Sequence, residues 1–569
     1  MLLKRKGFYV LTLGTALSAI MVGGDAMAQG DPSADPGRVQ QELQREFQPP
    51  AAQPKITIEP RDVDRPPANA EDVEFNLSML QIEGATVYTQ DEMRSVYDQY
   101  LGKDITLATL YQIAAQLTRK YRNDGYILTQ VIVPPQTIDA GTARLRVVEG
   151  YIDNVIIEGE TGSSLNLIRK YAAHFKDMAP VNVDYMERYL LLIRDLPGVD
   201  ARSVLSPSAD KTGAADLRII IERDTYQAQL GANNHGNKFL GREQFAASQV
   251  LNSVLGLNER IAQQVVVAPD AGNIELAYIY GEYLQPIGSF GTTAEVQVSY
   301  TDTDPGFTLA PLSVEGRSFY TSFKVEHPIF RTRERNLYGH IMLDFRNVDT
   351  ESIAFDTVED DIRMLRVGGR YESVDTIFGA GVNTFDVEVA TGLEILGASE
   401  EGDADLTRGN ANPQATKIEA GFSRLQRVTD NLNLFVRTEG QWATSSMLSS
   451  EEFGVGGVNL GRGYDSSEII GDDGVAGSVE LQWNSPYNID YVDEYQLYAF
   501  YDAGRVWNDN PGSDSLERDT LTSTGLGLRL GVLDNTLQFN GFVGVPLNRS
   551  VETEGDEDPR FFVSLTKTF

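Results

Sequence analysis

The second half of the chain, residues 224–569, leaves the fewest options for a fold. No helical periodicity persists there. Segments of about ten residues with alternating apolar and polar side chains recur to the end. In one of them Leu337, Gly339, Ile341, Leu343 and Phe345 fall on one face, and Tyr338, His340, Met342 and Asp344 on the other. Such alternation suits a transmembrane barrel with apolar residues outside and a soluble sandwich with apolar residues inside. The connectors separate the two. About sixteen candidate strands, the first near Tyr226 and the last near Arg560, are joined alternately by long and short links. The long set is 301–314, 349–361, 391–413, 446–474, 508–519 and 548–559, and several of these are acidic. The short set includes 285–290, 372–376, 427–431 and 533–535. Long loops at one end, tight turns at the other and an even strand number predict an outer-membrane barrel.

The segment before it is built differently. Residues 73–150 read as strand, helix, helix, strand, strand, and 151–223 repeat that order. Leu145-Arg146-Val147-Val148-Glu149 is echoed by Leu217-Arg218-Ile219-Ile220-Ile221-Glu222. This is an internal duplication of a small α+β domain, each copy packing two helices on one face of a sheet. Such sheets keep an edge open, and an open edge accepts a strand from another chain.

Ahead of the repeats, residues 29–47 hold a short helix over 35–47, with Asp35 as N-cap, Pro36 at the first helical position, and Val39, Leu43 and Phe47 on one face. Residues 48–72 contain Pro49, Pro50, Pro54, Pro60, Pro66 and Pro67 and read as an extended linker. A small helix on such a leash can dock elsewhere in the molecule and is a candidate plug for the barrel. Residues 1–28 read as a secretory signal: Lys4, Arg5 and Lys6, an apolar run, then Ala26-Met27-Ala28 as cleavage site.

Composition narrows the function. With 82 acidic and 48 basic residues the formal net charge is −34, which argues against nucleic acid as a partner. There is no Cys, which excludes disulfides and thiolate metal sites. His174, His235, His327 and His340 are scattered without metal-site spacing, so no metal or cofactor is expected. The phosphate-binding GxxxxGK[ST] loop and the nucleophile elbow do not occur, and the chain does not read as an enzyme.

One Gly-rich stretch stands out within the long connector 446–474. At its centre is Gly461-Arg462-Gly463-Tyr464. About forty residues on, Asp502 lies in the otherwise apolar run LYAFYDAGRV, where a lone carboxylate is costly unless paired or hydrated. Phe500, Asp502 and Gly504 share one face of that strand. Arg462 and Asp502 are the expected pair, the planar guanidinium fork suiting a carboxylate, with Gly504 leaving room for the loop tip.

Together these features resemble the two-partner secretion transporters of the hemolysin-activator and filamentous-haemagglutinin-transporter type, which share a superfamily with the barrel-assembly factor BamA. The repeats look like POTRA domains. Tyr121-Arg122-Asn123-Asp124-Gly125-Tyr126, Val133-Pro134-Pro135-Gln136 and Val147-Val148-Glu149-Gly150 resemble the family's first POTRA, and Glu326-His327-Pro328 with Asn336-Leu337-Tyr338 a motif of its barrel. The family carries Val-Arg-Gly-Tyr/Phe at the tip of its sixth extracellular loop, which folds back into the barrel. Gly461 stands here in place of the Val. Its partner motif on the thirteenth strand, Phe-x-Asp-x-Gly, is matched by Phe500, Asp502 and Gly504. The resemblance implies a loop latch of Arg462, Gly463, Tyr464 and Asp502. It implies an exporter that takes an unfolded exoprotein on its POTRA domains and threads it out through the barrel. It also implies the outer-membrane lipid as surroundings. Phe569, the aromatic ending the last strand, resembles the signal read by the barrel-assembly machinery. A barrel-assembly insertase of the same superfamily and a passive porin or surface-binding barrel remain alternatives.

Overall fold

The computed structural model describes residues 32–46, 56–58, 66–176, 178–208, 211, 213–270, 272–354, 357–485, 491–509 and 516–569. The expected signal segment and most of the linker lie outside these residues, as does Phe47.

Helix α1 (Pro36–Glu46) is followed by a short strand β1 (Ile56–Ile58). The first α+β unit contains β2 (Glu74–Leu77), β3 (Met79–Glu83), α2 (Gln90–Tyr97), β4 (Lys103–Thr106), α3 (Leu107–Asn123), β5 (Gln130–Ile132) and β6 (Thr142–Val148). Thr89 caps α2 in a reciprocal box with Glu92, and Thr106 caps α3 through the Thr109 amide. Leu110, Ile113, Ala114, Leu117 and Tyr121 form the buried stripe of α3 against β3 and β6. Two details differ from the expected order of strand, helix, helix, strand, strand. The first strand is broken at Ser78, and its first part, β2, pairs with an additional strand, β4. The strand after α3 is only the short β5, because Tyr126 and Thr129 turn the chain out of α3.

The second unit repeats the order with β7 (Tyr151–Gly159), α4 (Leu165–Lys176), α5 (Val183–Arg194), β8 (Val199–Pro207) and β9 (Ala214–Arg223). Its sheet runs β1-β8-β9-β7. The linker strand β1 pairs in parallel with β8, Thr57 opposite Val204. One edge of the sheet, at β8, is thus occupied by the chain's own linker, while β7 ends the sheet on the other side, and the linker is more than a leash. This unit is seated on the barrel's periplasmic turns. Arg331 donates to both carboxylate oxygens of Asp195 at 2.9 Å, and Arg188 donates to the Pro328 carbonyl at 2.8 Å.

The barrel is a closed antiparallel sheet of sixteen strands, from Tyr226–Asn233 to Arg560–Thr568, with the first and last paired. The expected count and starts hold to within a few residues for most strands. The seventh (Arg335–Glu351) and eighth (Val358–Asp375) are longer than expected. The predicted loop 349–361 is therefore mostly strand: Asp349, Asp360 and Asp361 remain in the ladder. Acidic residues mark loops poorly where strands rise beyond the membrane and their backbone still pairs. Outward faces are apolar, as at Phe319, Phe323, Val479, Leu481 and Tyr501, while Asp344, Arg346, Arg366 and Asp502 are buried on the inner side. Among the described residues no helix is long and apolar enough to cross a membrane.

Inside the lumen lies α1. Asp35 Oδ1 accepts the Arg38 amide, as an N-cap should. Val39 and Leu43 pack in one cluster with Phe239, Val266, Tyr278 and Tyr280 of the barrel. On the polar side Gln44 Nε2 donates to Ser299 Oγ at 2.9 Å, and Gln40 and Ser318 exchange two bonds.

Candidate functional site

The connector after the eleventh strand (Leu432–Ala443) runs over 444–472 and turns inward instead of standing on the surface. A small hairpin, Phe453–Val455 with Ile469–Gly471, carries its tip. The hairpin shares a buried cluster with the wall: Phe453, Val455, Leu460, Tyr464 and Ile469 against Ala476, Val506, Leu521 and Val551. Loss of water from these side chains drives the loop in.

At the tip, Gly461 has φ +103° and Gly463 φ +114°. Both lie in the left-handed half of backbone space that glycine tolerates. Gly461 replacing Val is thereby explained: this turn has a conformation a β-branched residue resists, and a Cβ there would lie 2.9 Å from Leu521 Cδ1. Gly463 lies against Gly544 of the fifteenth strand, where a Cβ on Gly544 would sit 2.7 Å from the Gly463 Cα. Two glycines allow two backbones to touch.

Arg462 reaches the thirteenth strand (Glu494–Trp507) as the sequence predicts. Its Nε donates to Asp502 Oδ2 at 2.9 Å and its Nη2 to Oδ1 at 2.7 Å, a fork-to-fork pair. The Arg462 and Gly461 amides donate to Oδ2 as well, at 2.9 and 3.3 Å. Asp502 is wholly buried and Arg462 is 7% exposed. The guanidinium lies 3.6 Å from the ring centroid of Phe500. Tyr464 is fully buried, and its hydroxyl donates to the Thr522 carbonyl at 3.1 Å. Phe569 stands apart at the periplasmic end, its amide bonded to the Ala228 carbonyl and its side chain outward.

One expectation needs correction. Gly504 does not make room for the arginine tip. A Cβ at Gly504 would meet Val455 Cγ1 at 2.4 Å, so it is the hairpin that needs the space. The guanidinium pocket itself consists of Phe500, Ser478, Glu480 and Asp502.

Glu480 and Ser478, on the twelfth strand (Asp473–Asn484), were missed. Arg462 Nη1 donates to Glu480 Oε2 at 2.5 Å and Nη2 to Ser478 Oγ at 2.7 Å, while Arg529 Nη1 from the fourteenth strand donates to Glu480 Oε1 at 2.8 Å. Two arginines thus balance two carboxylates. Ser478 is the cross-strand partner of Asp502, and Glu480 that of Phe500. Their inward alternation was visible in the sequence, but the register that puts them opposite the motif was not.

The same loop is held at its other end. Glu451 accepts from Arg366 at 3.0 and 3.1 Å and pairs with Lys417 at 2.9 Å, and Arg408 bridges Glu452 and Asp472. It also holds α1. Arg38 Nη1 donates to the Ser449 carbonyl at 2.7 Å and its Nη2 to Ser467 Oγ at 3.1 Å, while Ser467 Oγ donates to Glu42 Oε1 at 2.8 Å. Helix, loop and wall form one connected polar network.

A sixteen-strand barrel with α+β repeats below it and a loop pinned to its inner wall is an outer-membrane transporter with periplasmic POTRA domains. The chain belongs to the haemolysin secretion/activation protein family ShlB/FhaC/HecB, whose profile matches residues 215–530, and residues 75–150 match the ShlB-type POTRA domain. It is 23% identical to the heme/hemopexin transporter protein HuxB of Haemophilus influenzae (strain 86-028NP), over 98% of each chain. Among solved structures, CdiB from Escherichia coli superposes with a TM-score of 0.73 at 18% identity, covering 95% of this chain and 99% of that one. BamA from Haemophilus ducreyi lacking POTRA domains 1–3 superposes with a TM-score of 0.52 at 14% identity, covering 87% and 100%.

Proposed function

We propose that the protein exports an unfolded exoprotein across the outer membrane, as a transporter without catalytic activity, its POTRA units capturing the cargo and its barrel conducting it. The observation that carries this reading is the filled lumen. A helix tethered by a linker and a latched loop occupy the conduit together, and both are fixed by polar bonds that a passing chain can replace. A passive porin has no use for such a pair of removable obstacles. The latch is read as holding the closed barrel, with Arg462, Tyr464 and Asp502 as its contacts and Gly461, Gly463 and Gly504 as the residues that let it seat. The parallel strand at β8 supports capture by strand addition, because that edge demonstrably accepts an extended segment.

Secretion tests the reading. A large exoprotein is sought among the genes neighbouring this one and co-expressed with the transporter, and its appearance outside the cell is measured. Export that depends on the transporter is expected, together with higher single-channel conductance when residues 31–47 are deleted. An insertase would leave the neighbouring protein inside and disturb the barrel proteome instead.

A further inference from the structure

At the rim of the barrel, at the extracellular ends of the thirteenth and fourteenth strands, an open cleft of about 550 Å³ is lined by outward Arg505, Arg518 and Thr520 together with Asp519, Asn548 and Arg549. Val506 and Asp502 point inward and are buried. Arg505 and Trp507 therefore point outward, as does Tyr501, which is 49% exposed. Arg505 pairs across the ladder with Thr520 and Trp507 with Arg518, which makes the two arginines diagonal neighbours on one outer face.

Their charge is unspent. Arg549 is matched by Asp519, the carboxylate in the cavity. Arg505 and Arg518 have no acidic partner among the described residues. The Arg505 Nε is buried without a hydrogen-bond acceptor, and its guanidinium lies only over the Trp507 ring, at 5.3 Å. Other outward arginines are not left so: Arg317 on the sixth strand (Glu315–Arg331) faces Glu315 and Asp302. In a chain of net charge −34 a pair of arginines that no described carboxylate faces is an exception and suits an anion. Arginine on a lipid-facing wall costs least at the membrane interface, and the pair stands there, beside a tryptophan of the kind that marks that interface.

We propose that this pocket binds the phosphate group of an outer-leaflet glycolipid. The two guanidinium forks would take the phosphate oxygens, with the Thr520 hydroxyl beside them and the acyl chains running down the apolar wall past Tyr501. The lipid fits the position better than a soluble phosphate, because Arg505, Arg518 and Thr520 share the outward face of the strands with Trp507 and Tyr501.

The test uses the purified full-length protein in detergent and native mass spectrometry. A diphosphorylated glucosamine-disaccharide lipid, its dephosphorylated form and inorganic phosphate serve as probes. The unmodified protein is expected to retain the phosphorylated lipid at least about tenfold better than the dephosphorylated one. Arg505→Gln with Arg518→Gln should remove that preference, while Arg317→Gln should keep it. Thr520→Glu, which places a carboxylate beside Arg505 without removing either arginine, should remove it as well and covers the case of a misfolded double variant. Equal retention of both lipids, or an unaltered preference in the double variant and in Thr520→Glu, overturns the proposal. Displacement of the lipid by millimolar inorganic phosphate alone would show a site for soluble phosphate and overturn the choice of a lipid.

Discussion

Replacing Arg462 by alanine removes four hydrogen bonds at one stroke: two to Asp502 and one each to Glu480 and Ser478. A buried ion pair that loses one partner costs about 3–5 kcal/mol. A wet lumen would screen the pair and suggest less, but Asp502 is wholly buried, so the full range applies. Two features pull toward its lower end. Glu480 keeps Arg529, and Asp502 keeps the Gly461 and residue-462 amides as donors. The expected loss is about 3 kcal/mol, a factor of about a hundred in the equilibrium between docked and undocked tip. The hairpin cluster and Tyr464 remain, so the barrel should still assemble and the loss should appear locally. Hydrogen exchange of amides 456–466 should accelerate about a hundredfold while strand amides stay protected, and secretion should fall. Asp502→Ala should behave similarly, and the double variant should be no worse than either single one. Unchanged exchange at the tip in a normally folded barrel would refute the reasoning, because the pair would then contribute nothing to docking.

Three further outcomes follow from the same geometry. The chain has no Cys, so Gln44→Cys with Ser299→Cys gives one clean thiol pair on the facing positions; joining them with a short bis-methanethiosulfonate crosslinker should stop export and reduction should restore it, and export by the crosslinked form would exclude withdrawal of the helix. Thr57→Pro removes a ladder donor from β1 and should free the β8 edge, raising the affinity for the cargo's N-terminal domain several-fold in a pull-down titration, whereas unaltered binding would show that cargo does not use that edge. Gly461→Val restores the family's usual residue but forces it into φ +103° and against Leu521, so it should weaken tip docking by about 1–3 kcal/mol, seen as faster exchange at 461–464.

Much of this was readable from the residues. The barrel declared itself because period-two alternation must hold in every lipid-facing strand, and the Arg462–Asp502 pair because a carboxylate in an apolar strand needs a partner. Contacts set by register were not readable. Glu480 and Ser478 are ordinary inward polar residues until the twelfth strand is aligned with the thirteenth. The role of Gly504 was misassigned for a similar reason: glycine signals a close approach but not what approaches, and here it is Val455. The strand β1 was hidden because three residues, Ile56-Thr57-Ile58, are too short to show alternation between prolines, and the edge that organises them lies far away in sequence.

The pairing of β1 with β8 fixes a length as well as a contact. Between Glu46 at the end of α1 and Ile56 at the start of β1 lie residues 47–55, nine in all. Fully extended they reach about 30 Å. With β1 released, the tether runs from 47 to 69, since Ala70 is buried and its carbonyl holds the Ala108 amide of the first unit, twenty-three residues in all. As a flexible coil it has a mean span of about 26 Å and an outer reach of roughly 80 Å. The short tether keeps the helix at high effective concentration beside its seat; the long one lets it wander through a far larger volume. Displacing three residues from a sheet edge in the periplasm therefore lowers the chance of re-plugging a lumen that the displacing strand never touches.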